Sequence, residues 1–139
     1  MDHLAILSKQ RKLLAKIISG EKTIESRWYT FKKTPYNNIS VNDIIYFKES
    51  GESVSIKAEV SKVLFFDKLN PEKIKDILMQ YSGQISVSLD YADELNGKNF
   101  CTLMFLSNVE KVEQFDVDKA GYGLMVAWIT IKDIDEIKK

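Results

Sequence analysis

The stretch from Gly20 to Tyr29, which reads Gly-Glu-Lys-Thr-Ile-Glu-Ser-Arg-Trp-Tyr, marks the point where a helical pattern gives way to an extended one. Gly20 is suited to the left-handed conformation that ends a helix. Before it, four apolar residues recur at helical spacing: Leu13, Leu14, Ile17 and Ile18. After it, side chains alternate across a strand, so one face collects Thr23, Glu25, Arg27 and Tyr29. The stretch therefore predicts a helix followed by a strand with an ordered polar row.

The rest of the chain alternates strand patterns with helical insertions. The patterns predict strands at residues 4–7, 43–48, 54–61, 100–106, 109–115 and 124–131. They also predict a helix capped by Ser8, a helix that Asn70-Pro71 opens and Gly83 stops, and a shorter helix at 89–95. Short strands joined by hairpin-length turns, with helices at the start and in the middle, indicate an α+β protein with a small curved sheet.

Gly20, Lys22, Glu25 and Arg27 together resemble the Gly-x-Lys-x-x-Glu-x-Arg signature of ASCH domains, small proteins of the PUA-like superfamily. The family's layout continues along the chain, with a helix before the motif, a strand at 44–47, a helix at Tyr91-Ala92 and a closing strand through Trp128. The resemblance covers nearly the whole chain. It implies a PUA-like β-barrel of five or six mixed strands with flanking helices, and a cleft beside the motif strand that holds nucleotides.

Length and composition are those of a single domain covering residues 1–139. The chain has 45% hydrophobic residues, enough to bury roughly two-thirds of the surface its unfolded form exposes. Cys101 is the only cysteine, so no internal disulfide can form, and its apolar surroundings predict a buried thiol. No signal-peptide pattern or membrane-length apolar run is present, and we expect a cytoplasmic protein without membrane contact.

Charge is distributed unevenly although the net charge is zero. Residues 1–33 hold eight Lys or Arg against three acids, a local balance of +5 that the remainder offsets. One hypothesis is a basic side, formed by the first helix and the motif strand, that meets phosphates. The alternative is an ordinary lysine-rich helix face in water.

Three charged residues of the motif are the candidate site. Lys22 can neutralise a phosphate, or act as a base if burial lowers its pKa, and Arg27 can make a forked contact to a phosphate or a base edge. Glu25 can accept hydrogen bonds from a base or share proton transfer with Lys22. The alternatives are a surface lysine and a structural ion pair between Arg27 and Glu25.

The residues favour binding of RNA or a nucleotide by Lys22, Glu25, Arg27 and Tyr29. A second hypothesis is a metal-independent hydrolase of RNA or of a modified nucleoside such as acetylated cytidine, with Lys22 and Glu25 as catalytic residues. ASCH proteins that deacetylate N4-acetylcytidine carry a nucleophilic threonine where this chain has Glu25, and Thr23 lies two residues away. A third hypothesis is a protein-interaction module that uses the barrel edge.

Aromatic side chains add to the site, whereas metal ligands are scarce. Base stacking favours a binding role for Tyr29, Tyr91 is a further candidate, and Trp28 shares the apolar face of the strand with Ile24. The resemblance to an ASCH protein that cleaves RNA with the motif lysine and a tyrosine makes Tyr122 a further catalytic candidate, and the loop at 30–40 could form a mobile lip over the cleft. With His3 the only histidine, we expect no zinc site and no cofactor.

Overall fold

The computed structural model describes residues 1–123 and 125–139, which form one six-stranded sheet with helices beside it. The strands are β1 (Asp2–Leu7), β2 (Ile24–Tyr29), β3 (Ile44–Glu49), β4 (Val54–Phe66), β5 (Phe100–Phe115) and β6 (Trp128–Ile131). The α-helices are α1 (Leu13–Ser19) and α2 (Pro71–Ile85). Shorter 3-10 helices lie at Lys9–Arg11, Leu89–Leu95 and Ile134–Ile137.

The sheet is mixed and has the order β2-β5-β4-β3-β1-β6. Strands β1 and β3 are parallel, and every other neighbouring pair is antiparallel. Three register shifts along the β4–β5 pair bend the sheet, because an extra residue on one strand increases local twist. The sheet curls into a half-barrel, which confirms the α+β class and the expected small barrel of mixed strands with flanking helices.

Three groups of buried side chains hold the fold. The first lies inside the barrel around Phe47 and Met104, and the second lies between the sheet and α2 around Leu78 and Leu103. The third joins β1 to the C-terminal residues, where Leu4 and Ile129 pack with the last 3-10 helix. Because the last group closes on residues near both termini, the two ends of the chain belong to the same core.

Two helix boundaries confirm the sequence prediction. Gly20 has a φ of 83° and ends α1, as expected for a left-handed glycine. Asn70 caps α2, since its side chain accepts a hydrogen bond from the Lys73 amide at 2.8 Å, and Pro71 follows in the first turn.

Several predicted boundaries were wrong. Ser8 makes no side-chain cap, because a 3-10 turn comes first and α1 begins only after Lys12, which has a φ of 53°. Gly83 does not stop α2, which continues to Ile85 and ends at the left-handed Ser86.

The two late strand predictions, 100–106 and 109–115, are one continuous strand, β5. Asn108 has a φ of 49° and sits where β5 carries one more residue than β4, so it forms a bulge rather than a turn. The predicted strand at 124–131 is regular only from Trp128, and Leu124 lies outside the described residues. Strand β4 extends past residue 61 to Phe66 because it continues to pair with β5.

Candidate functional site

Strand β2 is at one edge of the sheet and carries the polar row. Glu25 is opposite Met104, and Arg27 is opposite Thr102, so this face of β2 looks into the barrel. The other face carries Trp28, which packs against the α2 core and is 7% exposed. The alternation expected from the sequence is therefore present, with the polar row turned inward.

Lys22 is buried just before β2, with 3% of its surface exposed. Its Nζ donates to the carbonyl oxygens of Ile24 at 2.8 Å and Ile85 at 3.0 Å, and it lies 3.6 Å from Glu25 Oε1. Burial lowers the pKa of Lys22, and the neighbouring Glu25 carboxylate opposes that change. The ammonium thus makes two hydrogen bonds to backbone carbonyls and a longer ion pair with Glu25, and the side chain ties the end of α2 to β2.

Glu25 is equally buried and is surrounded by donors. Its Oε1 accepts from the Ser26 amide at 2.9 Å, and its Oε2 accepts from Arg27 Nη2 at 3.4 Å. Burial by itself would raise the pKa of this carboxyl, but Lys22, Arg27 and the Ser26 amide together lower it below its ordinary value. Glu25 is therefore an ionised acceptor at neutral pH.

Arg27 spans the gap between the two edges of the curled sheet. Its Nη1 donates to the carbonyl of Ala127 at 3.2 Å, and its Nη2 donates to the carbonyl of Ile6 at 3.4 Å. The guanidinium also lies over the Trp128 ring, 5.1 Å from its centroid. Arg27 thus holds β2 against β1 and the chain that leads into β6, while one side of it remains at the cavity wall.

A cavity of about 610 Å³ opens beside β2, and all four residues predicted to bind ligand line it: Lys22, Glu25, Arg27 and Tyr29. Tyr29 is half-buried, and burial raises its pKa, with the nearby Arg27 opposing the shift. The predicted row therefore converges on one hollow. Lys22 and Glu25 form its buried wall rather than an exposed edge.

Four charged or aromatic residues at the cavity were not singled out together by the sequence. Arg11 comes from the first 3-10 turn, and Tyr91, Glu94 and Lys98 come from the segment after α2. Arg11 Nη2 contacts both carboxylate oxygens of Glu94 at 3.3 Å, and its guanidinium lies 4.9 Å from the Tyr91 ring centroid. Tyr91 was a candidate from the sequence. The sequence did not predict Glu94 and Lys98 as cavity residues, because their position at the cavity depends on the packing of segments far apart in the chain.

Other candidate groups lie away from the cavity. Thr23 is exposed, Tyr122 is 43% exposed, and neither lines the hollow. The loop at 30–40 contributes no lining residue to this cavity; its Tyr36 packs against Phe65 and Phe100 instead.

Half of the eight cations in residues 1–33 are already paired. Lys9 pairs with Glu52, Arg11 with Glu94, and both Lys22 and Arg27 with Glu25. The segment 1–33 is therefore less basic as a surface than its composition indicates.

Neither a metal cluster nor a membrane helix is found in the described part of the chain. Residues 1–123 and 125–139 contain no group of three or more His, Cys, Asp or Glu side chains placed to hold a metal ion. Within the same residues, no helix combines the length and the apolar character needed to cross a membrane. Cys101 is fully buried, as predicted, and burial raises the pKa of its thiol.

Comparison with known proteins gives a structural likeness without a sequence match. No protein-family model matches this sequence, and no curated protein matches it. The crystal structure of ASCH from Zymomonas mobilis is similar, with a TM-score of 0.71 and 14% identity over 99% of this chain and 96% of that chain. A tyrosine-to-phenylalanine variant of that protein gives a TM-score of 0.72 and 15% identity over 97% of this chain and 93% of that chain. The chain therefore has the fold of the Zymomonas mobilis ASCH protein over nearly its whole length.

Proposed function

We propose that this protein is an ASCH-domain protein that binds a nucleobase, either in a free nucleotide or in one residue of single-stranded RNA. The observation that carries the proposal is the convergence of Lys22, Glu25, Arg27 and Tyr29 on one cavity of about 610 Å³. Small-molecule sites are typically clefts of about 300 to 1,000 Å³ with a few convergent polar groups. A single nucleotide suits that volume.

The charges around the cavity favour an anionic ligand. Its wall and mouth carry four cations and two carboxylates, namely Arg11, Lys22, Arg27, Lys98, Glu25 and Glu94. In this scheme Glu25 accepts hydrogen bonds from the amino or ring N–H groups of a base, Lys98 contacts the phosphate, and Arg11 exchanges its exposed Glu94 partner for the phosphate. Tyr29 and Tyr91 supply aromatic surface, and stacking contributes about 1 to 3 kcal/mol per base.

Titration with nucleosides and with their 5′-monophosphates tests the proposal. We expect the monophosphate to bind more tightly, and Lys98→Ala to weaken its binding about tenfold, because a charge-assisted hydrogen bond contributes about 1.5 to 3 kcal/mol. Lys98→Ala leaves nucleoside binding nearly unchanged in this scheme. Lys75→Ala, on the exposed face of α2, is the matched control. If wild-type protein binds no nucleotide and no short RNA even at low salt, the proposal fails.

Metal-independent hydrolysis of RNA or a modified nucleoside is the second candidate function. The buried Lys22 and Glu25 pair at the cavity wall favours it, since perturbed pairs of this kind are frequent in active sites. The two hydrogen bonds of the Lys22 ammonium to backbone carbonyls and its ion pair with Glu25 argue against that residue as a general base. Incubation of wild type and Glu25→Gln with RNA and with acetylated cytidine, in the presence of a chelator, decides the matter. Equal or absent turnover in both proteins eliminates this candidate.

A further inference from the structure

A second cavity of about 680 Å³ adjoins the first. The two share six lining residues: Gln10, Arg11, Leu13, Val87, Tyr91 and Glu94. The second cavity adds a cation, two hydroxyl groups and a carboxylate, supplied by Lys16, Ser86, Ser88 and Asp90. The two hollows therefore border each other in a groove between the first helical segment and the chain after α2.

Arg11 stands at the junction of the two cavities. Its pairing with Glu94 is exposed, with 43% of the Arg11 side chain and 62% of the Glu94 side chain accessible, and its contacts are long at 3.3 Å. An exposed ion pair of this kind contributes little to stability, so a phosphate can replace Glu94 at low cost. The Tyr91 ring beside the guanidinium borders both hollows and offers a stacking surface.

We propose that the second cavity binds the neighbouring residue of a single-stranded RNA, with Arg11 contacting the phosphate that joins the two residues. This inference rests on the proposed function, because it takes the first cavity to hold one nucleotide. Lys16 and the hydroxyl groups of Ser86 and Ser88 then contact the sugar or the base edge of the second residue. The preferred ligand is accordingly at least a dinucleotide, and a free mononucleotide fills half of the groove.

Binding of a 5′-mononucleotide, a dinucleoside monophosphate and a four-residue RNA to the whole protein tests the inference. We expect the dinucleoside monophosphate to bind about tenfold or more tightly than the mononucleotide, because its second residue adds hydrogen bonds to Lys16, Ser86 and Ser88. We expect Lys16→Ala and Ser88→Ala each to remove most of that gain. Lys75→Ala, outside both cavities, keeps it.

The outcomes separate this inference from the function on which it rests. Equal affinity for the mononucleotide and the dinucleoside monophosphate overturns the second subsite and leaves nucleotide binding in the first cavity standing. A dinucleotide advantage that survives both Lys16→Ala and Ser88→Ala also overturns it. Absence of binding by every probe overturns the proposed function as well. Thermal unfolding of each variant identifies any loss of binding that is a loss of folding.

Discussion

At the scale of single residues, burial gives the charged residues at β2 a structural role in addition to the predicted binding role. From the sequence, Lys22 and Arg27 are candidate ligand-binding cations, with a surface lysine and an ion pair between Arg27 and Glu25 as the alternatives. In the structure, Lys22 donates hydrogen bonds to two backbone carbonyls. Arg27 donates to two more, those of Ile6 and Ala127, at the opposite side of the curled sheet. Both residues therefore serve the fold as well as the cavity, so variants at the rim, such as Lys98→Ala, are the cleaner probes of binding.

Replacement of Lys22 by Met is expected to destabilise the protein by about 3 kcal/mol, since loss of one partner leaves a buried charge less compensated. Arg27 still contacts Glu25, which keeps the loss near the lower end of the usual range. Urea-induced unfolding measures the change, with Lys75→Met as the surface control. We expect the double variant Lys22→Met with Glu25→Gln to recover part of the loss, and an unfolding midpoint unaffected by Lys22→Met would contradict the structural role.

The buried His3 makes stability depend on pH. Trp128 Nε1 can only donate, and it lies 3.3 Å from His3 Nδ1, so the ring proton sits on Nε2, which donates to Asp43 Oδ2 at 2.8 Å. Burial lowers the pKa of His3 below 6.5, with Asp43 opposing the shift. The Met1 amine, Asp2 and the Thr130 hydroxyl also face this ring.

A lowered histidine pKa means that the unfolded chain binds the proton more readily than the folded one. Stability from His3 is therefore complete above its unfolded pKa of 6.5 and is lost as pH falls through that value towards the folded pKa. We expect the melting temperature to fall between about pH 7.5 and about pH 5, and to fall less in His3→Gln. Because His3 is the only histidine, its ring resonances in an NMR titration give a second measurement. Titration of the folded protein at or above 6.5 would refute the prediction.

At the scale of elements, local chemistry sets two of the four α-helix ends as the sequence predicts, and strand pairing sets strand lengths. Asn70 caps α2 and Gly20 ends α1 through contacts with residues a few positions away in the chain, so neither boundary depends on tertiary packing. Strand β5 is different. The sequence pattern predicts a strand end near Asn108. Pairing with β4 instead keeps β5 continuous, with Asn108 in a β-bulge. The Asn108 side chain donates a hydrogen bond to Glu59 Oε2 at 2.9 Å.

The cap of α2 gives a direct test at this scale. Asn70→Ala removes the acceptor for the Lys73 amide and is expected to cost about 1 kcal/mol of stability. Asn70→Asp retains a side-chain oxygen at the same place and serves as the control, with a much smaller expected loss. Equilibrium unfolding in urea compares the three proteins, and equal stability of Asn70→Ala and wild type would show that the cap contributes nothing.

At the scale of the whole molecule, the curl of the sheet creates the candidate site. Strand β2 lies at one edge of the sheet and β6 at the other, yet Arg27 on β2 contacts the chain next to β6. The cavity forms beside this seam, where the 3-10 turn after β1 and the segment after α2 approach β2. Its net positive charge is local, because the chain as a whole is neutral.

The dependence of RNA binding on salt tests whether the local cavity or a broad basic face carries the affinity. Four of the eight N-terminal cations are paired with acids, so few phosphates are expected to be neutralised. For one or two phosphates on a single strand, the slope of log K against log salt is about −0.7 to −1.4. A fluorescence anisotropy titration at several salt concentrations measures the slope. A slope steeper than about −3 would indicate an extended basic surface instead.

The sequence by itself determined the local features: the switch from helix to strand at Gly20, the Asn70 cap, the alternation that sets Glu25, Arg27 and Tyr29 on one face, and the succession of short strands and helices that gives the α+β class. These follow from backbone preferences and side-chain periodicity, which act over a few residues. Tertiary structure alone decided that the polar row faces inward, that Arg27 spans the seam, and that Arg11, Glu94 and Lys98 join it at the cavity. The reason is that burial and long-range proximity depend on the bulges that curl the sheet and on the packing of segments far apart in the chain, which no local pattern records.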